Sequence, residues 1–316
     1  MSWRLVVGAV LVVALLAVAG ALAVPALTGE DELAPFFGIE VPDGDVAHVD
    51  RLAARLGCAP GVMDRFVKLN SDFGPADLGR LAERGRTPMV TLEPWTWQLR
   101  PGQTDEPAYS LLALARGDHD ADLRRLARVL ATHDGPVLLR FAHEMNADWY
   151  PWGVGVNGNT AASYVAAWRH VHALMQAVAP NLRWVWSPVA AWWPGALPYA
   201  SVYPGDAYVD YVGATGYGHG GTAGKTFGPW LREVRTVTSR PAVLSETGAA
   251  EPGKVRWTTS LAGFLRAHPD VRGFVWFDTS PQTTGATGDY RIEDTPEHLE
   301  AFRDLLRRSG VRGCRS

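Results

Sequence analysis

The chain is poor in cysteine and close to neutral, and each shortage removes a class of function. Cys58 and Cys314 are the only two cysteines in 316 residues. Neither has histidines clustered about it, which speaks against a zinc centre. A formal charge of -3 gives no reason to expect nucleic acid, a polyanion or a protein partner, and a monomer is expected. No glycine-rich phosphate loop follows the first apolar run, where Ile39-Glu40-Val41-Pro42-Asp43-Gly44 stands instead. After His143-Glu144, Ala147 occupies the place where a helical metalloprotease motif needs its second histidine. Ser245 lacks the flanking glycines of a serine-hydrolase elbow.

What the chain does have is apolar sequence and tryptophan, with 47% hydrophobic residues and 13 tryptophans. Tryptophan is costly to expose unless a flat apolar ligand face covers it, and sugar rings present such faces. At the N-terminus, Arg4 precedes an uninterrupted apolar run from Leu5 to Val24, followed by Pro25 and an acidic cluster. This pattern is an export segment, residues 1–27, either cleaved after the small residues Ala21-Leu22-Ala23 or retained as a membrane tether through residues 5–24. In both cases the body, residues 28–316, is expected outside the cytoplasm, secreted or anchored to the outer face of the cytoplasmic membrane. That compartment permits disulfides, and Cys58 and Cys314 are expected to pair, the alternative being two unrelated thiols.

In the body, apolar runs alternate with helical periodicity eight times. The strand candidates are APFFGIEV, DRFVKLN, TPMVTLE, PVLLRFAHE, LRWVWSP, YVDYVGATGY, PAVLSE and VRGFVWFD. The intervening helices are read at 46–56, 75–84, 119–132, 161–178, 228–237, 254–267 and 296–308, with a short irregular piece near Pro198 after the fifth strand. Eight such units predict a (β/α)8 TIM barrel in a single domain, preferred over a doubly wound open sheet. Barrel chemistry sits at the carboxyl ends of the strands, which gives a common address to Asn70, Asp72, Glu93, His143, Glu144, Ser187, Thr215, Tyr217, Ser245, Glu246, Trp276 and Asp278.

Two of these, Glu144 and Glu246, end strongly apolar strands, where an unpaired ionised carboxylate is expensive. Each could be neutralised by an arginine, and Arg140 is available. As a pair facing one another across the mouth they suggest glycoside hydrolysis, one carboxyl held protonated and the other ionised. Asp118, His119 and Asp120 read as first-turn negative charge at a helix start rather than as an ion site.

The stretch RFAHEMNADWYPWG, the helix AASYVAAWRHVH, and then NLRWVWSP, YVDYVGATGY and PAVLSETGA together resemble glycoside hydrolase family 26, a clan A family best known for β-mannanases. The likeness runs from about Phe37 to Phe277. It implies a retaining hydrolase of β-linked polysaccharide with Glu144 as acid/base and Glu246 as nucleophile, and no cofactor or metal. It further implies that His143 contacts the sugar next to the scissile bond and that Tyr217 hydrogen-bonds the nucleophile. Trp276 would form the floor under the sugar, Trp149 a wall of the leaving-group subsite, and Trp152, in the same loop, a further ligand contact. Trp95, Trp97, Trp192 and Trp193 would extend the groove. Thr215, where many members carry an acid, and Ala147-Asp148, where glycine is commoner, depart from the pattern. They leave β-1,4-mannan, mixed-linkage β-glucan and β-1,3-xylan as substrates to be separated. The alternative from another class is a membrane-tethered barrel that binds glycan without cutting it.

Overall fold

Alternation along each strand decides which residues fill the barrel and which meet the helices. The computed structural model describes residues 33, 35–96, 104–190, 195–284, 286–312 and 314; residues 1–27, the expected export segment, lie outside them, as do Trp97, Trp192 and Trp193. Eight parallel strands close a barrel in sequence order. They are β1 Phe36–Glu40, β2 Val62–Lys68, β3 Thr87–Glu93, β4 Val137–Phe141, β5 Leu182–Trp186, β6 Tyr211–Gly218, β7 Ala242–Ala249 and β8 Val271–Phe277. Closure is made by β1 on β8, with Phe36 opposite Gly273 and Glu40 opposite Phe277.

The helices are α1 Val46–Leu56, α2 Pro75–Ala82, α3 Leu111–Arg116, α4 Asp120–Leu130, α5 Ala161–Gln176, α6 Tyr199–Val202, α7 Ala223–Val234, α8 Lys254–Ala267, α9 Pro281–Thr284 and α10 Pro296–Ser309. Their ends are chemically marked. The Asp45 side chain accepts the His48 N–H at the start of α1, and Gly57, with φ 69°, ends that helix in the left-handed conformation. Thr160 and Ser163 form a reciprocal cap on α5. Among the described residues no helix is long and apolar enough to cross a membrane.

Two predicted boundaries move. The helix read from Gly228, with Pro229 in its first turn, begins instead at Ala223, because Ala223 and Phe227 are fully buried and the Ala223 N–H donates to Ser260 Oγ at 2.9 Å. Packing thus overrides the proline signal. The fourth strand ends at Phe141 rather than running through Glu144, since Ala142 and Glu144 take φ of 42° and 57°.

A floor of Phe36, Val62, Met89, Leu138, Val185, Tyr211, Val243 and Val275, one from each strand, plugs the amino-terminal end of the barrel. The larger apolar cluster lies between the strands and the helices. Two residues further along the strands, the inward positions turn polar, with Asp64, Arg140, Ser187 and Ser245 all buried. Cys58 and Cys314 are joined by a disulfide that ties the end of the chain to the segment after α1.

Candidate active site

Glu246 reaches the barrel mouth through a register shift. Gly213 pairs with Val243 but Thr215 with Glu246, so β7 spends three residues where β6 spends two. Such a bulge rephases the side chains beyond it. Glu144 arrives differently, from a left-handed backbone position just past β4, with its N–H held by the Ser187 carbonyl at 2.8 Å. For a non-glycine residue this conformation is strained and must be held by its surroundings. The loop that follows closes tightly. A Cβ on Gly153 would lie 2.2 Å from the Ala147 carbonyl oxygen, so only glycine fits there.

The two carboxylates meet. One oxygen each of Glu144 and Glu246 and a ring nitrogen of His143 lie within 4.8 Å of one another, and all three residues are buried. Glu246 is held on both oxygens: Arg140 Nη1 donates to Oε2 at 2.6 Å and Tyr217 Oη donates to Oε1 at 2.5 Å. Arg140 is wholly buried and spends its other donors on Ser187 Oγ, at 3.0 Å, and Thr215 Oγ1, at 2.5 Å. The arginine that could have neutralised either glutamate therefore serves Glu246. Thr215, the departure noted in the sequence, is part of its cradle.

Glu144 accepts the indole N–H of Trp149 on Oε2 at 2.6 Å. Burial first, and then the negative charge of Glu246, push its carboxyl up to about 7, against the opposing pull of Arg140, Trp149 and Thr215. The two glutamates thus sit in environments of opposite kind, one beside a guanidinium and one desolvated. His143 is kept neutral, its pKa driven well below the ordinary value by burial and by Arg140. Neither of its ring nitrogens has a hydrogen-bond partner. Both nitrogens are closed off as well, since His143, expected to contact the sugar, is 0% exposed and enclosed by the rings of Phe66, Tyr150 and Trp152. Two glutamates and a histidine could also ligate a cation. Here both Glu246 oxygens are engaged and a guanidinium already supplies the positive charge, so the donor set fits a hydroxylated substrate better than a metal ion.

The expected tryptophans divide. Trp149 is 45% exposed and walls the cleft beside Glu144. Trp152, expected to touch ligand, is instead fully buried. It stacks on Tyr150 at 4.3 Å and donates its N–H to the His143 carbonyl at 2.6 Å, so it braces His143 from behind. Trp276 is likewise not a sugar floor. It is 0% exposed, donates to the Tyr290 carbonyl at 2.7 Å and packs on Phe302 of α10 at 5.0 Å. The cause is the two-residue period, because Val275 belongs to the barrel floor and Trp276 must then face the helices. Phe277, one residue on, faces the mouth, with Phe66 and Tyr217 each 6.1 Å away. Trp95 is partly buried, with the Lys68 ammonium 4.2 Å above its ring.

Of the other strand-end residues, Glu93 is buried, accepts the Trp95 N–H at 3.1 Å and is pushed up to about 7 by burial. Asp278 is structural, accepting from Ile292 N at 2.6 Å and bonded to His48 at 2.8 Å. Asp120 pairs with His170 and Arg124, and His119 stacks on Tyr109, so that trio builds no ion site. Sequence reasoning missed Phe66, Phe277, Glu40 and Asp64. The available signal was strand alternation counted from the floor residues.

A sequence model of Glycosyl hydrolase family 26 matches residues 118–259, the stretch that holds Glu144, Tyr217 and Glu246. Endoglucanase H of Acetivibrio thermocellus is 30% identical over 265 residues, covering 78% of this chain and 27% of that protein. β-1,3-Xylanase TXYA of a Vibrio species is 29% identical over 199 residues, covering 61% of this chain and 41% of that protein. The chain thus spans well under half the length of these two relatives. A solved GH26 β-mannanase from Bacteroides ovatus superposes with a TM-score of 0.68 at 17% identity, over 90% of this chain and 91% of that one, and shares the barrel fold.

Proposed function

We infer that this chain, a relative of the family 26 glycoside hydrolases, is a retaining hydrolase of β-linked polysaccharide. The observation that carries the reading is the approach of Glu144 and Glu246 to within 4.8 Å in one buried chamber. Retaining enzymes hold their two carboxyl groups about 5–5.5 Å apart, and inverting ones about 6.5–9.5 Å apart to admit a water.

Glu246, oriented by Arg140 and Tyr217, attacks the anomeric carbon as the glycosidic bond breaks, and Glu144 gives its proton to the leaving oxygen. Glu144, now a carboxylate, takes a proton from the water that attacks the glycosyl ester, and Glu246 is released. A group with its pKa near 7 suits both halves of that cycle. Trp149, 45% exposed, lines the leaving-group side, while His143 packs behind the two glutamates.

Relatives named for endoglucanase, β-1,3-xylanase and β-mannanase activity support a β-glycan as substrate. We favour β-1,4-mannan, with mixed-linkage β-glucan and β-1,3-xylan next. Purified protein should release reducing ends from one of these polymers, and Glu144→Gln and Glu246→Gln should each abolish the release. Hydrolysis that survives both substitutions would remove the assignment. The apolar run 5–24 and the Cys58–Cys314 disulfide support a domain outside the cytoplasm behind an export segment. N-terminal sequencing of the native protein distinguishes a secreted form, cut after Ala23, from a tethered one.

A further inference from the structure

Lys254, the first residue of α8, is 0% exposed, and burying an ammonium is expensive unless its donors are met. All three are. Its Nζ lies 2.7 Å from Asp294 Oδ2 and donates to the carbonyls of Asp289 and Arg291 at 2.9 and 2.7 Å. These two carbonyls flank Tyr290 in the segment between α9 and α10. An apolar residue of similar volume is often no less stable in such a place, so what the lysine adds is a fixed path for this segment.

Tyr290 is tied at each of its own polar groups. Its N–H donates to the Thr279 carbonyl at 2.8 Å, its carbonyl accepts the Trp276 indole N–H at 2.7 Å, and its hydroxyl lies 2.8 Å from Thr287 Oγ1. Two residues on, the Ile292 N–H donates to Asp278 Oδ1 at 2.6 Å. A polar network satisfied this fully makes the segment rigid.

The ring so held packs on Tyr217. The two ring centres are 5.1 Å apart with their planes tilted by 50°, within the range of a favourable aromatic pair. Gly248 of β7 lets both rings approach, since a Cβ there would lie 3.2 Å from Tyr217 Cε1 and 3.3 Å from Tyr290 Cδ1. Phe277 stands 6.1 Å from each ring. Tyr217 itself is only partly buried, near the end of β6, and its hydroxyl donates to Glu246 Oε1 at 2.5 Å. A side chain at a cleft has other staggered wells open to it.

We propose that Tyr290, seated by Lys254, is a positioning residue for the nucleophile: its ring keeps Tyr217 in the rotamer that reaches Glu246. Tyr290 is 7% exposed and acts through Tyr217 rather than on substrate. The proposal rests on the hydrolase reading for its effect on rate, but not for its effect on the bond between Tyr217 and Glu246.

The test uses full-length protein and whichever of β-1,4-mannan, mixed-linkage β-glucan and β-1,3-xylan it cuts fastest. Tyr290→Leu should lower kcat about three- to tenfold, the span of one aromatic pair, with KM within about twofold of the parent. Tyr290→Phe, which keeps the ring, should retain the parent kcat. In a Tyr217→Phe background, Tyr290→Leu should cost less than about a further twofold, because the bond it protects is already gone. Lys254→Met should lower kcat in the same way, and an unchanged kcat there overturns the part given to the lysine. A KM that rises while kcat holds would make Tyr290 a substrate contact, and full additivity with Tyr217→Phe would make it a general support of the fold; either overturns the proposal. Crystal structures of the parent and of Tyr290→Leu need no turnover. The Tyr217 and Glu246 oxygens should separate beyond about 3.5 Å in the variant, and a Tyr217 left in place overturns the proposal whether or not the protein cuts glycan. The hydrolase reading is judged separately, by reducing-end release from the unsubstituted protein.

Discussion

Trp149 donates its indole N–H to Glu144 at 2.6 Å from an exposed loop, while Glu144 itself is buried. A half-exposed side chain thus tunes an internal acid. The bond favours the ionised carboxylate and partly offsets the burial that pushes Glu144 up to about 7. Trp149→Phe should therefore raise the pKa of Glu144 further. Because the acid must be protonated to act, kcat/KM should fall as pH rises through about 7 in the parent, and this basic limb should move to higher pH in the variant. A limb that stays in place or moves down would show that Trp149 does not tune the acid.

Tyr217 and Arg140 hold the two oxygens of Glu246, and their losses should differ in kind. Tyr217→Phe removes one hydrogen bond to a charged group, about 1.5–3 kcal/mol, so kcat should drop about 10- to 100-fold with little change in Tm. Arg140→Met leaves Glu246 buried without its cation, which costs on the order of 3–5 kcal/mol of stability as well as activity. Steady-state kinetics paired with thermal melts separate the two.

Asp64 and Glu93 are both buried and pushed up to about 7, burial being the larger cause in each. A carboxyl raised in the fold contributes stability that is fully present below its unfolded pKa of about 4 and lost as pH climbs through the folded value. The melting temperature should therefore decline between about pH 4 and pH 7. Asp64→Asn, which cannot ionise, should flatten that decline by at least about 3 °C. A slope unchanged by the substitution would mean that Asp64 is not one of its sources.

Trp276 and Phe277 are neighbours with opposite duties. Trp276→Ala should empty a packed site beneath α10 and cost about 3–5 kcal/mol, with KM unchanged in whatever protein remains folded. Phe277→Ala, at the mouth, should raise KM several-fold with a smaller loss of stability. Melts and Michaelis curves on both variants decide, and a KM effect at Trp276 with none at Phe277 would reverse the assignment.

Much of this was legible because it is periodic or carried by runs of residues. Eight apolar runs separated by helical patterns imply a barrel, since parallel strands covered by helices have few other ways to bury both faces. A barrel in turn assigns strand-end glutamates to one mouth. Trp276 was misread because a motif names a residue without its phase, and the phase comes from counting alternation from the floor. Trp152 was misread because a loop position does not reveal that its ring turns back under His143.

From sequence alone came the strand order, the barrel and the two glutamates, all set by local pattern and by chain order. The tertiary structure decided which carboxylate received Arg140 and which aromatic faced the cleft. These depend on a one-residue bulge in β7, on a left-handed turn at Glu144 and on barrel closure bringing β1 beside β8. Contacts between remote strands reverse when a register moves by a single residue, and no local pattern records that register.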